Sequence, residues 1–457
     1  MNSRREFLKR LSVSTGVGLA ATTGLYSLDS LSASLSGYKA LIVVHLNGGN
    51  DSNDFLVPMD GAFSDYEKAR PSIALKKDML QSISGNYLGH SLGINKAAAP
   101  LLDIFNSGRL AFVVNAGALV KPTTVSEVLN RTATVPPFLY SHPEQTQYVQ
   151  GWMGDEDPSG WGGRAMEAFG GASSLKAPVL AVNTNSNTLV LGQKSRVINA
   201  NTRNSKWMGS ADLTNSSDQW TQVFESMTRL QSNTSVEAEF ARTFRGSFLD
   251  SRELAFAQRA ATEPAGNFAD DDLSQRLRYI AQTMPYYKAI GSSRQIYFTQ
   301  WGSFDTHANQ RYTGVTTGNA DQDGQLAELA GALVAFDKSM LAAGMSNEVA
   351  VLITSEFSRT LDPASGNGSD HAWGGHWMVM GGGVNGARMY GDKFPSLMLG
   401  GVDDVHEQKR GFWLPQISSD QVAADLLTWL GLPADKLTAV MPNLANFTKK
   451  NVGFMNG

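Results

Sequence analysis

Apolar residues in this chain fall into short unbroken runs separated by longer stretches with helical spacing. "KALIVVHLNGGND" (39–51) begins with a continuous apolar run and ends in glycines, the pattern of a central strand buried on both faces. "LAFVVNAG" (110–117), "APVLAVNT" (177–184), "RQIYFTQWG" (294–302) and "EVAVLITSE" (348–356) read the same way. Helices are predicted over 95–110, over 321–344 between the last two strands, and over 418–433, where Gly431 and Pro433 end the pattern. Strand, helix and strand at this spacing imply parallel pairing with crossover helices. From about 200 to 292 no buried-strand run occurs, and the amphipathic pieces there predict a helical insertion. The expected architecture is α/β: a mostly parallel central sheet flanked by helices, in a single domain over 35–457.

The N-terminus follows other rules. Arg4 and Arg5 precede Phe7, Leu8 and Lys9, then a weakly apolar Gly/Thr-rich stretch, then small residues at Ser32-Ala33-Ser34. This order predicts a twin-arginine signal peptide over 1–34, with the twin-arginine translocase and signal peptidase as partners. The expected location is the periplasm or the cell exterior. Without that segment the chain carries 34 basic and 40 acidic residues, a net charge of -6. No long basic run points to nucleic acid. No later apolar stretch reaches ~20 residues, so the mature form is not expected to span a membrane. The chain has no cysteine, which excludes disulfides, thiolate ligands and a cysteine nucleophile. A metal site here must use histidine, carboxylate and neutral oxygen.

Ligands in open α/β sheets gather beyond the carboxyl ends of the strands. Asn47, Asp51 and Asp54 follow the first strand, and Asp305 and His307 follow "RQIYFTQWG". Glu356, Ser358 and Arg359 follow "EVAVLITSE", then Asp370, His371 and His376 in a glycine- and tryptophan-lined loop. If those strands are neighbours, Asp51, Asp305, His307, Glu356, Asp370, His371 and His376 form a ligand pool for a divalent metal: zinc, manganese, magnesium or calcium. Each piece also has a plain reading, as a turn cap or a solvated side chain. Arg359 can clamp an anion or pair with a carboxylate. Ser141, just ahead of Pro143 and Glu144, is at or near a helix N-cap, where backbone N–H groups favour negative charge. It is either a simple cap or an activated nucleophile.

The segments "LNGGNDSNDFLVP", "LYSHPEQTQY", "SFDTHANQ", "SEFSRT" and "GNGSDHAWGGHWMVMGGGVNGARMYG" resemble a family of twin-arginine-exported bacterial proteins of unknown function, the DUF1501 type, in the alkaline phosphatase/sulfatase superfamily. The resemblance runs over nearly the whole mature chain. It implies a two-metal site at the strand ends, with Ser141 at the nucleophile's place and Asp305, His307 and one of His371 and His376 as ligands of one metal. Glu356 falls where the superfamily has the Asp of an Asp-His pair. Asn47 stands where it usually has Asp, and Phe357 stands where it has a ligating His. The resemblance therefore implies an exported metal-dependent hydrolase or transferase of phosphate or sulfate esters with one metal position degraded. The other reading is a non-catalytic exported protein that keeps the fold and binds a glycan, an anion or a partner.

Overall fold

The computed structural model describes residues 35, 37–170, 179–184, 188–194, 197–202, 212–229, 234–311 and 321–456. The twin-arginine segment, 1–34, lies outside them. Among the described residues the strands are β1 (Lys39–Leu46), β2 (Leu56–Pro58), β3 (Leu80–Ser82), β4 (Leu92–Asn95), β5 (Leu110–Gly117), β6 (Val179–Val182) and β7 (Ile198–Ala200). They continue with β8 (Arg294–Trp301), β9 (Val349–Ser355), β10 (Arg359–Ala364), β11 (Gly368–His371), β12 (Gly375–Gly381), β13 (Arg388–Tyr390) and β14 (Ile417–Ser418).

The main sheet runs β13-β5-β12-β9-β1-β8-β6-β7, with β14 also paired to β5. β1 is parallel to β8 on one side and to β9 on the other, with Leu46 opposite both Trp301 and Ser355. The three strands therefore end at one level, and the loops after them meet at one edge. β12 alone runs antiparallel, between β9 and β5. It was not among the expected strands, because its apolar run follows directly on the glycine-rich loop. β10 and β11 form a separate hairpin, in which Arg359 lies opposite His371.

The β1 residues Ile42, Val44 and Leu46 point into the main core. Leu277, Ile280 and Met284 of the helix Asp272–Ala289 share that core with Leu329, Leu333 and Phe336 of the helix Gln322–Ala342. The first of these helices leads into β8 and covers the sheet. Two more helices, Gln219–Met227 and Ser235–Ala260, occupy the expected helical stretch. Ser418 and Gln421 form a capping box at the start of the helix Ser419–Leu430, and Gly431 ends it with φ 99°. That helix packs on β1. The helix expected over 95–110 is shorter, Leu101–Asn106, preceded by a 3-10 turn at Lys96–Ala98. Pro100 separates the two, since it cannot donate within a helix. No helix among the described residues is long and apolar enough to cross a membrane.

Two glycines let the strand-end loops close. Gly48 has φ 107°, and a Cβ on it would lie 2.5 Å from the Asp305 nitrogen and 2.8 Å from the Phe304 nitrogen. A Cβ on Gly49, at φ 77°, would meet the Phe357 ring at 2.5 Å. The loops are stitched by Asn47 N–H to the Trp301 carbonyl (2.9 Å) and Phe304 N–H to the Asn47 carbonyl (2.8 Å). Gly48→Ala combines a left-handed φ with a clash against backbone, and should cost about 2–3 kcal/mol of stability. Urea unfolding checks this; a variant as stable as the parent would show that the loops do not need their observed spacing.

Candidate functional site

The residues at this edge are organised around one buried carboxylate. Glu356 follows β9 and its side chain is fully buried. Its Oε1 accepts the Gly48 N–H (2.8 Å) and lies 2.8 Å from His142 Nδ1. Its Oε2 accepts the Ser355 hydroxyl (3.1 Å) and sits 3.2 Å from His45 Nε2. His45 is itself buried in β1, with Nδ1 3.2 Å from Thr354 Oγ1. Burial alone would raise the Glu356 pKa, but His142 and His45 more than offset that and hold it well below the ordinary carboxylate range. The group is therefore ionised at neutral pH.

In front of it lie three imidazoles and a carboxylate. His142 comes from the first residue of the helix His142–Val149, Asp305 and His307 from the loop after β8, and His371 from the end of β11. Each imidazole has its Nδ1 against an oxygen: His142 against Glu356, His307 against Asp370 (2.9 Å), and His371 against the Tyr140 carbonyl (2.7 Å). Carbonyl and ionised carboxylate oxygens only accept, so Nδ1 carries the proton in each ring. The three Nε2 atoms then present lone pairs, and all three face Asp305 Oδ1. His307 Nε2 is 2.9 Å from it, His371 Nε2 3.3 Å and His142 Nε2 3.4 Å. The Nε2 atoms of His307 and His371 are 3.0 Å apart.

Lone pairs packed this way repel unless a proton or a metal cation sits among them. Ligands on a tetrahedral metal with bonds of about 2.0–2.1 Å are separated by about 3.3 Å, close to the spacings here. His142 Nε2 is buried without a hydrogen-bond partner. The ligand atoms of His142, Asp305 and His371 all lie within 4.8 Å of one another, as a shared ion requires. Oxygen acceptors behind each ring are the arrangement that fixes metal-ligating histidines in orientation and tautomer. The donor set thus fits a divalent cation. The side chains of Asp305 (41% exposed) and His307 (46% exposed) leave the cluster open to solvent on one side.

The electrostatics suit the same purpose. Burial would raise Asp305, but the hydrogen bond and charge of Arg359 hold its pKa below the usual value. Burial, with Arg359 and His142 nearby, lowers the pKa of His371 and keeps it neutral and able to donate a lone pair. Burial would lower His142 as well, yet Glu356 outweighs it and raises the pKa, so protons compete for that ring when no cation is bound. Phe357 covers the back of the cluster, with its ring centroid 4.8 Å from both His142 and His371.

Several residues expected as ligands or catalysts have other work. The Glu356 oxygens are filled by protein donors, so it orients His142 and does not ligate. Asp51 caps the turn Ser52–Asp54, with Oδ1 accepting from Asn53, while Oδ2 takes Arg70 and Gln310 Nε2 (2.6 Å). Asp370 bridges His307 and Arg410 (2.6 Å), behind the ligand layer. His376 lies inside β12, buried against Trp413 and Phe394, and its Nδ1 accepts the Asn115 N–H at 3.2 Å. Five residues past His371, it is the second residue of the antiparallel strand that leaves the site. Arg359 donates to Asp305 (2.8 Å), to the Gly48 carbonyl (3.2 Å) and to Ser369, so its guanidinium positions Asp305. Ser141 is the N-cap residue, but its hydroxyl donates to the Glu144 carboxylate instead of capping the helix.

His142 and His45 were missed. The signal for His142 was present, since it directly follows the expected nucleophile in "LYSHPEQTQY" and the chain has only seven histidines. His45 looked like one more position in a buried strand.

Residues 38–407 match the model of a family described as "Protein of unknown function (DUF1501)", and the chain belongs to that family. No curated protein matches it. Solved structures similar to it include a phosphonate monoester hydrolase from Silicibacter pomeroyi, at 8% identity and TM-score 0.35 over 87% of this chain and 73% of that one. Another is the lipoteichoic acid synthase LtaP from Listeria monocytogenes, at 8% and 0.32 over 79% and 73%. A third is the PsFucS1 sulfatase from Pseudoalteromonas sp., at 10% and 0.30 over 80% and 66%.

The Glu356 charge has a stability consequence. A carboxylate with a depressed folded pKa contributes stability above its unfolded pKa of about 4.3, and loses that contribution as pH falls toward the folded value. Glu356→Gln should therefore cost about 2–4 kcal/mol at pH 7, and the gap from the parent should shrink below about pH 4. Denaturant titrations of both proteins from pH 3 to 8 measure this; a gap independent of pH would mean that the charge is not what stabilises the edge.

Proposed function

We propose that the cluster holds one divalent cation through His142 Nε2, Asp305 Oδ1 and His371 Nε2, with His307 Nε2 as a fourth donor. On this reading the protein is a metal-dependent hydrolase or transferase of phosphate or sulfate esters that works outside the cytoplasm. The observation that carries it is that the ligand atoms of His142, Asp305 and His371 lie close enough to share one ion, with both imidazoles fixed from behind by an oxygen acceptor. A nitrogen-rich donor set suits zinc better than magnesium or calcium, which prefer all-oxygen shells. Such a cation supplies Lewis acidity toward an ester oxygen. The choice of phosphate or sulfate esters rests on the sequence motifs that resemble the alkaline phosphatase/sulfatase superfamily.

The chain's own groups have definable parts. Asp305, pinned by Arg359, keeps its oxygen in the ligand position. Ser141 adjoins the ligand His142, and its hydroxyl proton already points to the Glu144 carboxylate, a base able to receive it. The one open side, beside Asp305 and His307, admits an anionic ester. A second reading, a binding or assembly protein without turnover, is favoured by one observation. Glu356 and Asp51, which a two-metal site would need, are fully engaged by internal donors.

Metal analysis of the purified protein should find about one zinc-class ion per chain, and His142→Ala or His371→Ala should weaken its binding by more than about 100-fold. With generic phosphate and sulfate esters, Ser141→Ala should lower kcat by at least about 1,000-fold if serine is the nucleophile. Turnover that survives chelation overturns the metal reading. A metal-bound protein that turns over no such ester supports the binding reading instead.

A further inference from the structure

Behind Arg359 lies a group of charges that takes no direct part in the cluster. The side chains of Asp51, Asp54 and Arg70 are fully buried; Arg70 pairs with Asp51, and Arg311 with Asp54 at 2.5 Å. Gln310, also buried, joins this group: its Nε2 donates to Asp51 Oδ2 and to Asp54 Oδ2, each at 2.6 Å. Carboxylates paired with guanidinium groups accept hydrogen bonds, so they hold the Gln310 amide with its nitrogen toward them and its oxygen away. With the amide reversed, an oxygen would face two carboxylates.

That orientation passes along a chain of hydrogen bonds. Gln310 Oε1 accepts the Ser369 hydroxyl (2.5 Å) and the Thr306 hydroxyl (3.2 Å). A hydroxyl has one proton, so Ser369, with its proton on Gln310, presents a lone pair to Arg359 Nε at 3.3 Å. The Ser369 carbonyl accepts Arg359 Nη2 (2.6 Å), which leaves Nη1 for Asp305 Oδ1 (2.8 Å) and the Gly48 carbonyl (3.2 Å). The Arg359 side chain is fully buried, whereas that of Asp305 is 41% exposed. A carboxylate this open has other rotamers available, and the fixed guanidinium selects the one that faces the imidazoles.

We propose that Gln310 and Ser369 are positioning residues of the imidazole–carboxylate cluster: they fix the Arg359 guanidinium and, through it, the Asp305 oxygen. The inference rests on the reading of that cluster as a cation site. It gives the buried Asp51–Asp54 pair a part in the site at one remove, through the amide that the pair orients.

Chelator competition measures the zinc affinity of the full-length protein, and cobalt(II) loading reads the ligand set through its visible absorption. Ser369→Ala should weaken zinc binding by about 10–100-fold and shift the cobalt spectrum. Gln310→Met should do the same; if that variant does not fold, Ser369→Ala decides alone. Added to Arg359→Lys, Ser369→Ala should weaken binding no further, because its effect passes through the guanidinium. Parental affinity and spectrum in Ser369→Ala, or a full additional loss in the double variant, overturn the proposal. A parent that binds neither zinc nor cobalt counts against the cation reading itself. The crystal structure of Ser369→Ala then decides the positioning role: a guanidinium still on Asp305 Oδ1 overturns it, and one turned away supports it.

Discussion

The edge of this protein is built on a buried negative charge. A carboxylate removed from water costs several kcal/mol unless hydrogen bonds and opposite dipoles replace its hydration. Glu356 gets these replacements from four places: the backbone of the loop after β1, a histidine inside β1, a hydroxyl at the end of β9 and the first residue of a helix. Each partner belongs to a segment that must be in position for the charge to be tolerated. The carboxylate therefore couples the parallel register of β1 and β9 to the placement of the helix His142–Val149. Gly48 serves the same end, because only a residue without Cβ brings its N–H to Glu356 while touching the Asp305 backbone.

That coupling explains why the imidazole cluster is held in one arrangement. A flexible imidazole would turn its ring to hydrogen-bond with whatever is nearest. Here three different acceptors, a glutamate, an aspartate and a main-chain carbonyl, pin the Nδ1 side of three rings. The Nε2 sides are left with no partner but one another and Asp305. Arg359 completes the frame by supplying the positive charge that keeps Asp305 ionised at a solvent-facing position. Glu356, Asp370 and Arg359 thus support the rings and Asp305 from behind, where the ligand pool read from strand ends had placed two of them in front.

How much of this could be read in advance depended on the range of the interactions. β1, β5, β8 and β9 matched their apolar runs within a residue, because a strand buried on both faces must be apolar throughout. The helices Gln322–Ala342 and Ser419–Leu430 were equally legible, since capping residues and periodicity are local signals. β12 was not, because the same run of glycine, tryptophan and methionine suits a loop as well as an antiparallel strand. His376 went astray for the same reason. Asp305, His307 and His371 lie after strands or in the glycine-lined loop, where polar residues are expected to gather, whereas His142 lies at a helix start away from any strand end.

By itself the sequence determined the α/β architecture, the edge at which polar residues collect, and the exclusion of thiolate ligands. These follow from periodicity, from strand polarity and from the lack of cysteine. Only the tertiary structure decided which carboxylates face the cluster and which lie behind it. Asp51 and Glu356 have the composition of ligands, but their oxygens are claimed by Arg70, Gln310, His142 and His45. Apart from the adjacent Ser355, the donors that fill Glu356 come from segments more than 200 positions away in the chain. Whether an oxygen has a free lone pair is settled by those neighbours, and neighbours at that range are made by folding, not by local sequence.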